Sequence, residues 1–166
     1  MHLKSLKHFI ALILLAACML AAGSAAAEKN ILLTFTGDVT LGCKDDERNY
    51  LECFDNVAEN EGYEYFFANF KEMFAQDDLT VINLEGVLTD NRANKASKKH
   101  PFRGKTDFAK ILSVSGIDLA GLSNNHALDY GNPGLKSTVR ALEENGIKWF
   151  RDLNYYIYEK DGVKVA

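Results

Sequence analysis

The sequence has few of the residues that mark fibrous, linker or nucleic-acid-binding chains. Only two of its 166 residues are proline and 12 are glycine, which excludes collagen-like and proline-rich linker character. Basic residues are outnumbered by acidic ones: the net charge is −4, from 19 basic and 23 acidic side chains. Two of the basic side chains and none of the acidic ones lie in the first 27 residues, so the rest of the chain is more acidic than the whole. Because non-specific nucleic-acid binding needs a basic surface, we expect no nucleic-acid partner.

The chain also lacks an apolar run long enough to cross a bilayer. The run over residues 9–22 is about 14 residues, short of the ~20 that a membrane-spanning helix needs. It follows two lysines and precedes the small residues 24–27, which predicts a signal peptide over residues 1–27, cleavage before Glu28 and a secreted or cell-envelope location. Leu15–Cys18 resembles a bacterial lipobox, so lipidation at Cys18 is the alternative. We expect membrane contact only through this leader or that lipid.

The chain as a whole has the composition of one soluble domain. Hydrophobic residues make up 47% of the chain and charged residues 25%. Residues 28–166 are enough for one modest core and too few for two domains. They contain two cysteines, Cys43 and Cys53. In an oxidising compartment this pair can form a local structural disulfide, although two unpaired thiols are the alternative, because spacing alone does not establish the geometry of a bridge.

Apolar runs alternate with amphipathic segments along the mature chain. Thr106 is the predicted N-cap of a helix over residues 107–114. This rhythm predicts βαβ units, an α/β fold and a mostly parallel sheet with helices. The pattern predicts strands over 30–35, 79–82, 117–122 and 147–150, helices over 65–76, 107–114 and between Pro133 and Gly146, and a hairpin of 155–158 with 163–166.

Polar residues follow three of the predicted strands. They are Gly37-Asp38, Asn83-Leu84-Glu85 and Asn125-His126. Since parallel strands end at the same edge of a sheet, we expect these residues to converge there. Carboxylates suit Mg or Mn and an imidazole extends the range to Zn or Fe, so a divalent metal site is predicted, its metal left open. The alternative is that these residues only shape turns and cap helices.

Four ordered motifs run along the chain: Leu33–Gly42, Asp78–Gly86, Phe102–Lys105 and Ser123–Gly131. Together they resemble the poly-γ-glutamate capsule synthesis family of the CapA type. This family is similar to the calcineurin-like metallophosphoesterases, whose fold is an α/β/β/α sandwich around two metals. The resemblance implies that residues 28–166 form the N-terminal half of such a sandwich, as a fragment of a longer protein. It also implies a metal-dependent, hydrolase-like role in capsule or envelope polymer metabolism.

The resemblance also implies roles for single residues. Asp38, Glu85 and Asn125 correspond to metal ligands and His126 to a general acid. We expect Asp129, three residues further on, or a backbone carbonyl to orient the imidazole. The alternative is a buried structural histidine that is bonded to Asp129 and has no proton to give. Three ligands fall short of the four to six that a two-metal site needs, and the family's later histidine motifs have no counterpart. We therefore expect an incomplete metal site and no turnover by this chain.

A basic stretch lies between Asn91 and Thr106 and contains six Lys or Arg residues and no acid. A solvated loop explains it without any function. Arg103 and Lys105 lie in the motif Phe102–Lys105, which resembles the family, and they are the candidates for binding an anionic polymer or a phosphoester substrate. This stretch also supports a second hypothesis, a non-catalytic envelope protein that binds or anchors an anionic polymer.

Overall fold

The structure is a computed structural model that describes residues 30–43 and 53–166. The predicted signal peptide, Cys18 included, lies outside this range. Within the range, no helix combines the length and the apolar character needed to cross a membrane.

The described part of the chain alternates strands with short helices. Two 3₁₀ turns, Tyr63–Tyr65 and Thr106–Phe108, precede the second and third helices. The helices are α1 (Phe54–Glu61), α2 (Lys71–Phe74), α3 (Ala109–Val114) and α4 (Gly131–Glu144). The strands are β1 (Leu33–Val39), β2 (Leu79–Leu84), β3 (Val87–Leu88), β4 (Arg103–Gly104), β5 (Leu119–Gly121), β6 (Lys148–Phe150), β7 (Tyr158–Lys160) and β8 (Val163–Val165).

Four of these strands form one parallel sheet in the order β1-β2-β5-β6. Its central strand β2 has an almost continuously apolar sequence, typical of a strand buried on both faces. The predicted α/β fold with a mostly parallel sheet is confirmed, and it agrees with the N-terminal half of a calcineurin-like fold. A hairpin is also present, as the antiparallel pair β7-β8; its second strand lies where predicted, but its first strand begins at Tyr158 and not at residue 155.

The two faces of the sheet are covered differently. Helices α3 and α4 pack on one face, where Ile82, Leu112, Leu122 and Leu142 are at most 2% exposed. The other face carries the smaller cluster of Leu79, Val81 and Leu119, against which Tyr156 and Tyr158 pack. One face of the sheet is therefore well covered by helices, and the other face is only partly covered by the hairpin.

Strand β1 is longer than predicted. The sequence predicts a loop from Thr36, but the ladder with β2 continues and pairs Asp38 with Asn83. A bulge between Phe35 and Asp38 absorbs the change in register. Asp38 thus lies within a strand, at the carboxyl end of the sheet.

The helix predicted over 65–76 is wrong. Only Lys71–Phe74 forms an α-helix, after a 3₁₀ turn and a stretch of turns. The aromatic side chains reach the core without helical geometry, since Phe66 stacks on Phe54 with ring centroids 4.3 Å apart. Two apolar residues of this stretch, Phe70 and Met73, are about half exposed, whereas a helix packed on the core through its apolar residues would bury them. The 3.6-residue spacing therefore reflected local packing rather than a helix.

The predicted N-cap at Thr106 is also wrong. Thr106 begins a 3₁₀ turn, and α3 begins three residues later. The Thr106 hydroxyl donates to the carboxylate of Asp90, so it ties the turn to the residues after β3 instead of capping the helix.

Two glycines allow the segment after β1 to lie directly on β4. A Cβ on Gly104 would be 2.0 Å from the carbonyl oxygen of Leu41. Gly42 has a φ of 143°, and a Cβ there would be 2.3 Å from the carbonyl oxygen of Arg103. This contact places the small parallel pair β3-β4 beside the end of β1.

Candidate functional site at the carboxyl edge of the sheet

Side-chain hydrogen bonds join the ends of β1 and β2. The amide nitrogen Nδ2 of Asn83 donates to Oδ1 of Asp38 at 2.6 Å. These two residues are register partners in the parallel ladder. The predicted convergence of the first two strand ends is therefore present, and Asn83 is the residue that makes the contact.

Asn124 connects this pair to the end of β5. Its Nδ2 donates to Oδ1 of Asn83 and to the carbonyl oxygen of Leu84, both at 2.9 Å. Its Oδ1 accepts from the backbone N–H of His126 at 3.0 Å. We call the connected residues Asp38, Asn83, Asn124 and His126 the polar chain. It fixes the backbone of His126 relative to all three strands.

The imidazole of His126 lies between two carboxylates. Its Nδ1 is 2.8 Å from Oδ2 of Asp129, and its Nε2 is 3.5 Å from Oε1 of Glu85. The ring of Phe102 packs on it with centroids 4.4 Å apart. The side chains of His126 and Glu85 are 12% and 19% exposed, so the imidazole is enclosed without being sealed from solvent.

Asp129 is the most buried member of this group, with a side chain 1% exposed. Its Oδ2 also accepts from the backbone N–H of Phe102 at 2.6 Å. Its other oxygen pairs with the ammonium group of Lys98, which in turn donates to the carbonyl oxygen of Asn125 at 2.9 Å. Asp129 therefore contacts the imidazole directly, and its role in orienting the ring stays a prediction.

The predicted metal ligands do not form a compact shell in the described residues. Among residues 30–43 and 53–166, one group of three His, Cys, Asp or Glu residues has its ligand atoms within 4.8 Å of one another: Cys43, Cys53 and Asp55. It lies outside the polar chain, and its two sulfurs are joined in a disulfide. The oxygen and nitrogen donors of Asp38, Glu85 and His126 have the right chemistry for a divalent cation. Their present arrangement does not fit one, because the ligand atoms of these three residues do not all lie within 4.8 Å of one another.

The two predicted substrate-binding cations have different environments. Arg103 is 4% exposed, and its Nη1 donates to the carbonyl oxygen of Thr89 at 2.7 Å, so it does not occupy the solvent-facing position expected of it. Its place in β4, beneath the segment after β1, accounts for this burial. Lys105 pairs with Glu59 at 2.6 Å, and this hydrogen bond raises the pKa of Lys105 and lowers the pKa of Glu59. Lys105 remains partly exposed.

Three residues of the site carried no predicted role. Asn83 and Asn124 make the side-chain contacts that join the strand ends, and Lys98 neutralises Asp129. The one available indication was an asparagine at position 83 in an otherwise apolar strand. Nothing in the sequence separates Lys98 from its basic neighbours.

Comparison with known proteins places these residues in a family. The sequence profile of the bacterial capsule synthesis protein family PGA_cap matches residues 32–150. The chain belongs to this family. The match includes the whole polar chain, Glu85 and Asp129.

Individual relatives carry related descriptions. The capsule biosynthesis protein CapA of Bacillus anthracis is 28% identical over 95% of this chain and 40% of its own length. The PGA biosynthesis protein CapA of Bacillus subtilis is 29% identical over 69% of this chain and 28% of its own length. A probable polyglutamine synthesis accessory protein of Mycobacterium tuberculosis is 35% identical over 43% of this chain and 19% of its own length. The chain thus spans less than half the length of these relatives.

Proposed function

We propose that this protein is an exported accessory protein in the synthesis of an anionic capsule polymer of the poly-γ-glutamate kind, and that the residues around His126 form part of a hydrolase-like site that acts on that polymer, a site that is incomplete in these 166 residues. The observation that carries this proposal is the imidazole of His126, held between Asp129 and Glu85 where three strand ends meet. Membership of the capsule synthesis family and the descriptions of the relatives support it.

The geometry suits a proton donor. When Nδ1–H donates to Asp129, Nε2 is the ring nitrogen that takes up a second proton, and only the protonated ring has a proton at Nε2 to give to a reacting group. A general acid has to present that proton within hydrogen-bonding distance of the leaving oxygen. Phe102 covers one face of the ring and limits the approach of water from that side. In this proposal Asp129 positions the imidazole and His126 delivers the proton.

Replacement of His126 in the native host tests this function. His126→Ala should change the amount and lengthen the chains of the polymer, because loss of a general acid slows cleavage by about 10²–10⁴-fold. The measurement is the amount and chain length of polymer on the cells and in the medium, with protein abundance checked on an immunoblot. His100→Ala is the matched control, since His100 is exposed in the loop before β4. Unchanged amount and chain length of polymer from cells holding normal amounts of the His126→Ala protein would contradict the proposal.

Asp38, Glu85 and Asn125 stay the predicted ligands of an incomplete metal site. A bound divalent ion would supply Lewis acidity at this edge of the sheet. Because the described residues do not form a shell, we expect titration of the 166-residue chain with Mn²⁺, Mg²⁺, Zn²⁺ or Fe²⁺ to show no saturable site. One equivalent of bound metal that disappears in Asp38→Ala would show instead that these ligands suffice.

A second candidate function is polymer binding without catalysis. The loop between β3 and β4 exposes Arg92, Lys95 and Lys99 close to the site. If these side chains hold a polyanion, binding of poly-γ-glutamate should survive a chelator and weaken steeply with salt, because screening reduces attraction between exposed charges. Binding that is unchanged in the Arg92→Ala/Lys95→Ala/Lys99→Ala protein would eliminate this candidate.

A further inference from the structure

Lys98 behaves differently from its basic neighbours. It belongs to the stretch that the sequence predicts to be solvated or to face a polymer. The ammonium group of Lys98 contacts the carboxylate of Asp129, and the side chain of Lys98 is 32% exposed on a loop where Lys95 and Lys99 are exposed as well. A lysine that pairs with a buried carboxylate has a role inside the protein even though part of its side chain contacts solvent.

Asp129 needs this cation. An ionised carboxylate with a side chain 1% exposed requires a compensating charge and hydrogen bonds, because burying an unpaired charge is costly. Three groups contact it: Nδ1 of His126, the backbone N–H of Phe102 and the ammonium group of Lys98. Of these, Lys98 alone brings a charge that does not depend on the protonation of the imidazole.

Lys98 also holds the backbone just before the imidazole. Its Nζ donates to the carbonyl oxygen of Asn125 at 2.9 Å. The loop that carries Lys98 is fixed to the same place, since the backbone N–H of Ala96 donates to the carbonyl oxygen of Asp129 at 2.7 Å. One ammonium group thus joins the residue preceding His126 to the carboxylate that orients its ring.

We infer that Lys98 is a positioning residue, which fixes the Asp129 carboxylate and the Asn125–His126 backbone and thereby holds the His126 ring with its Nδ1–H toward Asp129. This role for Lys98 rests on the proposed function of His126, but its structural part does not. The charge of Lys98 is used inside the protein and not on a polymer.

The test is the ¹⁵N spectrum of the His126 imidazole in the full chain, at a pH where the wild-type ring is neutral. Wild type should show two well-separated ring-nitrogen signals, the signature of a single tautomer. In Lys98→Met the signals should move towards each other as the two tautomers mix, and the backbone amide signal of Phe102 should shift. Lys98→Arg should restore the wild-type pattern. Lys99→Met, which removes the same charge one residue away, should leave it unchanged.

Two results would overturn the inference: ring-nitrogen signals in Lys98→Met that match wild type, or an equal change in Lys99→Met. If Lys98→Met does not give a folded spectrum, Lys98→Gln is measured by the same criteria, because it removes the charge but keeps a donor for the Asn125 carbonyl. Polymer output in the host separates the two proposals. A changed imidazole spectrum with normal polymer output supports the positioning role of Lys98 and contradicts the proposed function of His126.

Discussion

At the scale of single residues, Asp129 is where the loop before β4 and the residues after β5 meet. Its Oδ2 accepts a hydrogen bond from the backbone N–H of Phe102 and contacts Nδ1 of His126, and its Oδ1 forms an ion pair with Lys98. Asp129→Asn removes the charge and turns part of the acceptor into a donor. We expect it to lower the free energy of unfolding by about 1–3 kcal/mol, the usual cost of leaving buried polar groups unsatisfied.

Chemical denaturation followed by circular dichroism measures this change. Asp152→Asn is the control, because the Asp152 side chain is 66% exposed. Equal stability of the Asp129→Asn and Asp152→Asn proteins would show that the buried network contributes nothing.

Some contacts in this site could be predicted from the sequence, and others could not. The contact of His126 with Asp129 spans three positions, so local spacing was enough to suggest it. The bonds of Asn83 to Asp38 and Asn124 depend on strands being in one particular register, which a single sequence does not reveal. The role of Lys98 depends on the fold of a loop with no periodic pattern.

At the scale of elements, the segment after β1 approaches β4 so closely that position 104, like position 42, requires glycine. A Cβ at Gly104 would overlap the backbone oxygen of Leu41, whereas a Cβ at Gly37 in β1 has nothing within 4 Å. We expect Gly104→Ala to lower the free energy of unfolding by about 1–3 kcal/mol, because an overpacked site forces the backbone to shift. Gly37→Ala should leave it unchanged or raise it by up to about 1 kcal/mol, since alanine restricts the unfolded chain. Thermal unfolding of both variants gives the comparison, and equal melting temperatures would refute it.

The hairpin is held to the sheet by an ion pair that depends on pH. Lys160 of β7 donates to Asp78, which also accepts from the backbone N–H of Leu32 at 2.9 Å. The hydrogen bond from Lys160, followed by the one from Leu32, lowers the pKa of Asp78, and the bond to Asp78 raises the pKa of Lys160. The contribution of Asp78 is complete above its unfolded pKa of about 3.9 and is lost as the pH falls through its lower folded value. The contribution of Lys160 is complete below its unfolded pKa of about 10.4 and is lost as the pH rises through its higher folded value.

We therefore expect the hairpin to loosen in acid before the core does. Amide protection in β7 should be constant near neutral pH and should fall as the pH drops below about 4. Lys160→Met should reduce protection at neutral pH and weaken the acid dependence, whereas Lys164→Met, which removes an exposed cation paired within the hairpin, should change neither. The same acid dependence in wild type and Lys160→Met would refute this account.

Elements with a strong apolar signal were predicted, and those that depend on tertiary contacts were not. The apolar run over 79–82 predicted β2, and the alternation of strands with helices predicted a mostly parallel sheet. The aromatic residues 66–74 misled because both a helix and a series of turns can bring Phe66 and Phe74 to the core. The pair β3-β4 has two residues per strand, which is too short for any periodic pattern.

At the scale of the whole molecule, the two faces of the sheet predict how the chain behaves in solution. The face under the hairpin is an apolar groove bordered by Phe35 and Tyr155, which are 69% and 71% exposed. Exposed apolar patches of more than a few hundred Å² favour association. We expect concentration-dependent sedimentation of the chain that Phe35→Lys reduces. Leu153→Lys is the control, because Leu153 is 96% exposed and does not line the groove. A monomer with a sharp melt independent of concentration would contradict this expectation.

The polar chain also has a consequence for the time course of folding. Its side chains join positions 45 and 41 residues apart, so their bonds close only after both parallel pairings of β2 have formed. Pairings between distant segments are slow to form, and a slip of one residue turns Asn83 to the opposite face of the sheet. The region around His126 should therefore be among the last parts of the chain to acquire its native geometry. A chain whose helices have already packed but whose strands are misaligned would be compact and still lack the site.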